Sequence, residues 1–491
     1  MAEIIPHWLD KQAALSPNEL ALEIPDKETL TFKELQERSQ SFARKLAGIG
    51  VKCADHVAIY AHNSSEMVVM IHALSYLGAV AVLLNTRLAV KEISFQLNNA
   101  EVGYILTDVS LPSDVFDFTA PIYSVEEVHQ LNEEVVELLG EINLDDLFTI
   151  IYTSGTTGKP KGVQHTYGNH WWSAIASALN LGIDNRDKWL ASLPLFHVGG
   201  LSILIKSVIY GMPVYLLEKF DEQVVHNGIV NQGVTIVSVV SLTLQRLVDV
   251  VAESNQFYPS SFRCMLLGGG PAPEPLLQKA KSLQIPVYQT YGMTETSSQI
   301  VTLSPRDALD KLGSAGKPLF PAQLKIVLEG EIANNYQVGE IHVKGAMVTK
   351  GYFRAEDANR SAFDHNGWLA TGDMGYVDAE GFLYVMDRRK DLIISGGENI
   401  YPAELESVLS GCPGVKDVAI VGKIDSTWGQ TPVAFVVVEE KEIVTADEVI
   451  SYCSKYLAKY KIPKEVYFLE QLPRTASNKV IRHQLSKLLN N

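Results

Sequence analysis

Short apolar runs separated by helical patterns constrain this 491-residue chain more than any other feature. They read HVAIYA (56–61), AVAVLL (79–84), YILTD (104–108), PVYLLE (213–218), TIVSVV (235–240) and CMLLGGG (264–270). Each is mostly apolar rather than strictly alternating, so each suits a buried strand of a parallel sheet. The stretch from Ser64 to Gly78 reads as a helix between the first two. Buried strands alternating with helices predict βαβ units and mainly parallel sheets, with ligands at the carboxyl ends of the strands.

The texture changes after about Ser304. GSAGKP, LKIVLE, GEIHVKG and GFLYVMDRRKDLIISGG are short β segments with glycine turns. A smaller α+β unit follows, with strands AIVGK and PVAFVVVE and helices ADEVISYCSKYLAK and SNKVIRHQLSKLL. The expected architecture is α/β. Residues 1–386 form a large N-terminal domain of two βαβ-type sheets plus a β-rich module, and residues 391–491 a small mobile C-terminal domain. No long polar linker joins them, so the charged segment 387–390 is the candidate hinge, with a plain charged turn as the alternative. Roughly three structural units also suit a chain of this length.

Lys and Arg number 41 against 57 Asp and Glu, a formal net charge of -16. That excess argues against a general binder of nucleic acid or anionic membranes. The four cysteines, Cys53, Cys264, Cys412 and Cys453, lie far apart and show neither a C-x-x-C pair nor zinc-ligand spacing. No run of about 18 uncharged apolar residues occurs, and the start lacks a secretory pattern. A soluble, cytoplasmic protein is expected.

The densest chemical signal is Tyr152-Thr-Ser-Gly-Thr-Thr-Gly-Lys-Pro-Lys-Gly162, directly after the strand-like FTII. Its three glycines let backbone amides turn toward an anion. Thr153, Ser154, Thr156 and Thr157 add hydroxyl donors, and Lys159 and Lys161 add charge. Such a loop suits a polyphosphate. It is not a Walker A loop, because the lysine spacing is wrong and Pro160 stands where Ser or Thr would follow.

YTSGTTGKPKG resembles the phosphate-loop signature of the adenylate-forming superfamily: acyl-CoA synthetases, carrier-protein adenylation domains and luciferases. Further matches follow in that family's order: Leu193-Pro-Leu-Phe-His197, Tyr291-Gly-Met-Thr-Glu295, Gly367-Trp-Leu-Ala-Thr-Gly-Asp373, Arg388-Arg-Lys-Asp391 with ISGGENIYP, and Pro473-Arg-Thr-Ala-Ser-Asn-Lys479. KSVIYGMPV, LLGGGPAPEPLL, YGMTETSSQIVTLSP, GSAGKPLF and SGGENIYPAELESVL look like the branch that activates 2-succinylbenzoate for menaquinone biosynthesis. The resemblance, not composition or spacing, supplies that substrate.

The resemblance implies ATP and Mg²⁺ as cofactors and CoA as co-substrate. It places Thr153, Ser154, Gly155, Thr156, Thr157 and Lys161 around the phosphates. Glu295, a hard oxygen ligand, serves Mg²⁺, and Thr294 the α-phosphate. Gly268, Gly269, Gly270, Gln289, Tyr291 and Gly292 line the nucleotide and acyl pocket, with Tyr291 as a stacking face for adenine. Asp373 accepts the ribose hydroxyls, with Arg388 beside it. His197 is a gate between acyl pocket and thiol tunnel; alone it would read as a core histidine. Lys479 is the mobile catalytic lysine, although alone it would read as a solvated surface residue. Lys390 is the hinge position, and Gly396 and Gly397 line the CoA tunnel. Two departures from the pattern are Asn478, where many members of that family carry Gly, and Asp387, where they usually do.

2-Succinylbenzoate has two carboxylates, and the one not activated needs a cation or amides. Lys206, alone in the apolar run LSILIKSVIY beside His197, either faces that ligand or snorkels to solvent. Ser241, Ser298 and Gln299 are further polar candidates. Ligases for other aromatic or fatty acids, a stand-alone adenylation enzyme serving a carrier protein, and a non-catalytic nucleotide sensor remain alternatives. Partners are expected to be small molecules, with no nucleic acid and no transmembrane segment, and self-association into a homo-oligomer is compatible with the sequence.

Overall fold

A computed structural model describes residues 3–88, 90–109, 120–153, 160–254, 256–270, 272–308, 310–388, 391–395, 398–425, 428–439, 442–457, 459–475 and 479–489. The expected continuous apolar runs are strands of two large sheets. The first has six strands, in the order Lys161–Thr166, Leu147–Thr153, Val80–Leu83, His56–Tyr60, Tyr104–Thr107 and Ile122–Ser124. Only its Lys161–Thr166 edge is antiparallel. The second has nine strands, with a parallel centre of Val287–Met293, Cys264–Leu267, Ile236–Val239, Trp189–Ala191, Val214–Leu216 and Leu20–Ile24. Antiparallel strands close both of its edges.

The helix expected between the first two runs spans Ser65–Leu77. The Ser64 hydroxyl caps it by accepting from the Met67 amide, and Gly78, at φ 65°, ends it in the left-handed region. Twelve of its thirteen residues are buried, so it is a core helix between layers rather than an amphipathic surface helix.

The β-rich module is an antiparallel five-stranded sheet: Glu331–Ile332, Ala322–Leu328, Gly339–Gly345, Leu369–Val377 and Leu383–Arg388. Its last ladder still pairs Met374 with Asp387 and Asp373 with Arg388. The first two residues of the expected hinge therefore have strand backbone, and Arg389 and Lys390 lie outside the described residues. The C-terminal unit is a second five-stranded sheet built on the hairpin Val415–Asp425 and Gly429–Val438, carrying helices Pro402–Ser410, Ala446–Ser454 and Arg482–Leu488. Its last helix starts later than the SNKVIRHQLSKLL pattern suggested. Thr475 and Lys479 are joined through backbone and hydroxyl bonds and Arg474 bridges to Val480, so the described residues 479–481 are not helical. The Glu274 amide donates to Ser407 Oγ at 3.3 Å, which docks this unit on helix Glu274–Ser282 of the body.

Candidate active site

Thr153 and Lys161 face each other across the antiparallel pair that brackets the phosphate-type loop. Ser154, Gly155, Thr156 and Thr157 lie outside the described residues. The Lys161 ammonium sits 4.9 Å from the ring centroid of Tyr352.

Three neighbouring parallel strands deliver the rest of the floor at their carboxyl ends. After Ile236–Val239, Ser241 opens helix Ser241–Ser254. After Cys264–Leu267 come Gly268, Gly269 and Gly270, with Gly269 at φ 86°, a conformation that penalises a side chain. Val287–Met293 contributes Gln289, Tyr291 and Gly292 and leads into one 3₁₀ turn, Thr294–Thr296. At Gly292 a Cβ would lie 1.9 Å from the Ser298 carbonyl oxygen, so only glycine allows this bulge. Ser297 and Ser298 follow at φ 53° and 108°, adjacent left-handed residues of the kind found at functional sites.

The 3₁₀ turn is clamped from behind. His165 Nε2 donates to the Thr294 carbonyl at 2.7 Å, and the Thr349 amide donates to the Glu295 carbonyl at 2.8 Å. That bond sets the His165 tautomer: with Nε2 protonated, Nδ1 accepts from Thr149 at 3.2 Å, and Thr149 in turn accepts from His170 at 3.0 Å. Burial pushes His165 down to about 4 and keeps it neutral. The Glu295 side chain is itself buried and accepts the Tyr352 hydroxyl at 2.9 Å.

Tyr291 and Asp373 meet directly. The phenol donates to Asp373 Oδ2 at 2.8 Å, and both residues are buried. Arg388 lies opposite Asp373 in the ladder. Gln289 turns elsewhere, accepting the Gly313 amide at 2.9 Å.

His197 caps the start of helix Val198–Tyr210, and its Nε2 is buried without a hydrogen-bond partner among the described residues. Burial, then the charges of Lys479 and Arg87, push its pKa down to about 4. Lys479 is exposed, yet close enough for its charge to be felt at His197. Nine residues along the helix, Lys206 is 1% exposed, which excludes snorkelling. Its ammonium is 3.3 Å from Gln299 Oε1 and 4.9 Å from the centre of the Trp189 ring, and burial pushes it down to about 7. Gln299 Nε2 also lacks a partner among the described residues. Ser298 receives a hydrogen bond from Ser202 at 3.3 Å. Lys390, Gly396 and Gly397 lie outside the described residues.

The site thus joins Thr153, Lys161, Thr294, Glu295, Tyr291, Asp373, His197 and Lys479 from five parts of the chain. Sequence reasoning missed Tyr352, His165 and Arg87. Tyr352 sits in an unremarkable GYF, and His165 in a strand that looks like any other. Arg87 follows the AVAVLL strand at its carboxyl end, which is a signal that strand order alone could have flagged.

Among the described residues no three His, Cys, Asp or Glu side chains cluster as a metal cage. One buried carboxylate beside a phosphate-type loop fits Mg²⁺, which takes one or two carboxylates and completes its shell with phosphate oxygens and water. No helix among the described residues is long and apolar enough to cross a membrane.

An α/β body with a nucleotide-type floor and a small capping unit carrying a lysine defines a nucleotide-dependent acid-activating enzyme. The chain belongs to the AMP-binding enzyme family: residues 9–353 match that family and residues 404–479 match the AMP-binding enzyme C-terminal domain. It is 54% identical over 487 residues to the 2-succinylbenzoate--CoA ligase of Oceanobacillus iheyensis, covering 99% of this chain and 100% of that one. Its fold is similar to o-succinylbenzoate CoA synthetase (MenE) from Bacillus subtilis in complex with the acyl-adenylate intermediate OSB-AMP, with TM-score 0.93, 49% identity and 98% of each chain covered. The same enzyme in complex with ATP and magnesium ion gives TM-score 0.93 and 49% identity over 98% of this chain and 100% of that one.

Proposed function

We infer that this chain is a cytoplasmic ATP- and Mg²⁺-dependent ligase that joins 2-succinylbenzoate to CoA, a step of menaquinone biosynthesis. In the first half-reaction an oxygen of the acid's carboxylate bonds to the α-phosphorus of ATP. The bond from that phosphorus to the bridging oxygen breaks, and pyrophosphate leaves. In the second, the CoA sulfur bonds to the acyl carbon, AMP departs, and the thiol proton passes to solvent. Bound Mg²⁺ supplies charge neutralisation at the phosphate oxygens. The observation that carries this reading is the buried Glu295, joined through Tyr352 to the loop-bracketing Lys161, together with 54% identity over the full length to a ligase of that name.

Each side chain has a task in this scheme. Thr153 and Lys161 stand where phosphates enter, and Asp373 and the backbone of Arg388 stand together for the ribose. Lys479 brings positive charge to the crowded region by His197, where carboxylate and α-phosphate must approach. His197, uncharged, offers one unpaired nitrogen and a wall.

The second carboxylate is assigned to Lys206, with Gln299 and Ser298 beside it. A helix rises about 1.5 Å per residue, so nine residues place the Lys206 backbone about 13 Å below His197. A helical side chain leans toward the N terminus, which brings its ammonium back toward the acyl pocket. Two buried groups with spare donors at that depth suit the far end of an elongated dicarboxylate. Residues 387–390 serve as the hinge between half-reactions, with Gly396 and Gly397 lining the thiol path in the second pose.

The test is product mass after incubation with ATP, Mg²⁺ and CoA and a panel of acids. 2-Succinylbenzoyl-CoA and AMP are expected. A preference for a fatty or simple benzoic acid, or an absence of CoA thioester, refutes the substrate or the reaction respectively.

A further inference from the structure

We propose that Tyr352 is a positioning residue that holds the metal-ligand carboxylate with its hydroxyl and the phosphate-side lysine with its ring. This rests on the adenylating function above. The phenol donates to Glu295 Oε1 at 2.9 Å across 57 residues of sequence, with Tyr352 7% and Glu295 6% exposed. A buried carboxylate needs such a partner, and a hydrogen bond to one oxygen orients the other. On its face the same ring receives the Lys161 ammonium at 4.9 Å.

Tyr352 is itself tightly fixed. Its amide donates to Asn359 Oδ1 at 2.7 Å, and its carbonyl accepts Asn359 Nδ2 at 2.9 Å. It forms an antiparallel bridge with Val163, and the Phe353 amide donates to the Gly162 carbonyl at 2.8 Å. The tyrosine is therefore stitched to the strand that leaves the phosphate loop. It touches a cation through its ring and an anion through a neutral hydroxyl. A direct Lys–Glu ion pair would have to break before phosphate and metal could bind; contacts through a neutral residue keep both charges poised.

The experiment measures ATP binding by calorimetry, with Mg²⁺ titrated and with EDTA, on the parent, Tyr352→Phe and Tyr352→Leu. In the parent, Mg²⁺ tightens ATP binding; if it does not, the adenylating reading fails rather than this proposal. Phe keeps the ring, so ATP affinity in EDTA should match the parent while the Mg²⁺ concentration needed for half-tightening rises about 5- to 20-fold. Leu should show that rise and also lose about 3- to 10-fold in EDTA. A Phe variant with parental Mg²⁺ dependence overturns the hydroxyl's role, and a Leu variant equal to Phe in EDTA overturns the ring's role. A general structural role is separated by the double variant: in a Glu295→Gln background, adding Tyr352→Phe should change Mg²⁺ dependence no further, and an additive loss overturns the proposal.

Discussion

Replacing Lys206 with Met should make the protein more stable and a worse ligase for its dicarboxylate. The lysine is fully buried, and burial lowers its pKa from 10.5 to about 7. Between those values the unfolded chain binds a proton that the folded chain does not. Folding stability attributable to this group therefore rises with pH from about 7 to 10.5, and below pH 7 its penalty is complete. At about 1.4 kcal/mol per unit, the ceiling on that penalty is about 5 kcal/mol. Methionine removes it at similar volume. Lost contacts offset part: about 1–2 kcal/mol for the Trp189 ring and about 1 kcal/mol for the Gln299 bond. The net gain at neutral pH is about 2 kcal/mol, a rise of a few degrees in Tm for a domain this large, on the order of 2 °C per kcal/mol. By pH 10 the gain should largely vanish, because the parent amine is already neutral in the folded state. Removing one partner of a buried charged pair costs roughly 3–5 kcal/mol, so kcat/KM for 2-succinylbenzoate should fall roughly a hundred- to a few thousand-fold. The analogue esterified at the second carboxylate should change by less than about threefold, since it never had the pair to lose. The assays are scanning calorimetry at pH 7 and 10 and kcat/KM for both acids. Equal losses for the two acids, or a lower Tm at pH 7, would refute the reasoning.

Lys479→Ala should impair adenylate formation strongly and spare thioester formation from preformed acyl adenylate; single-turnover assays of each half decide, and equal loss in both sinks the role. Lys390→Pro should leave adenylation largely intact and slow thioester formation by orders of magnitude, because proline fixes φ and restricts its neighbour; a parental rate of acyl-CoA formation rules out the two-pose scheme. The protein should be acid-labile, because burial pushes His72 down to about 3 and His165 to about 4, and lowers His7 and His170 too. Their unfolded forms take up protons as pH falls through about 6.5, so stability is full above that and drains toward pH 4; a urea midpoint unchanged from pH 7 to 4.5 would contradict this.

What was legible from sequence were features written locally. Helix Ser65–Leu77 announced itself through Ser64 and Gly78, and the parallel strands through mostly apolar runs. Glu295 and Asp373 stood in recognisable words. Their partners did not, because contact across 57 residues to Tyr352 or 82 to Tyr291 leaves no periodic trace. Tyr291 illustrates the difference: a stacking ring was expected, and the structure adds a phenol bound to Asp373. The start of the last helix was misjudged because Lys479 bonds back to Thr475 and Val480 pairs with Arg474, so the described residues 479–481 are not helical and the helix begins at Arg482.

His197 shows how burial narrows a role that its residue type leaves wide. Desolvation is the largest cause of its lowered pKa, ahead of Lys479 and Arg87. The charge of Lys479 is the smaller contribution, so burial alone favours the uncharged imidazole near neutral pH. In the ligand-free protein the ring is therefore not a cation near neutral pH. What remains is shape and one buried nitrogen. Those properties suit a side chain that blocks or opens a passage by turning, while the charged groups of the site, Lys479, Lys161 and Glu295, come from three separate segments.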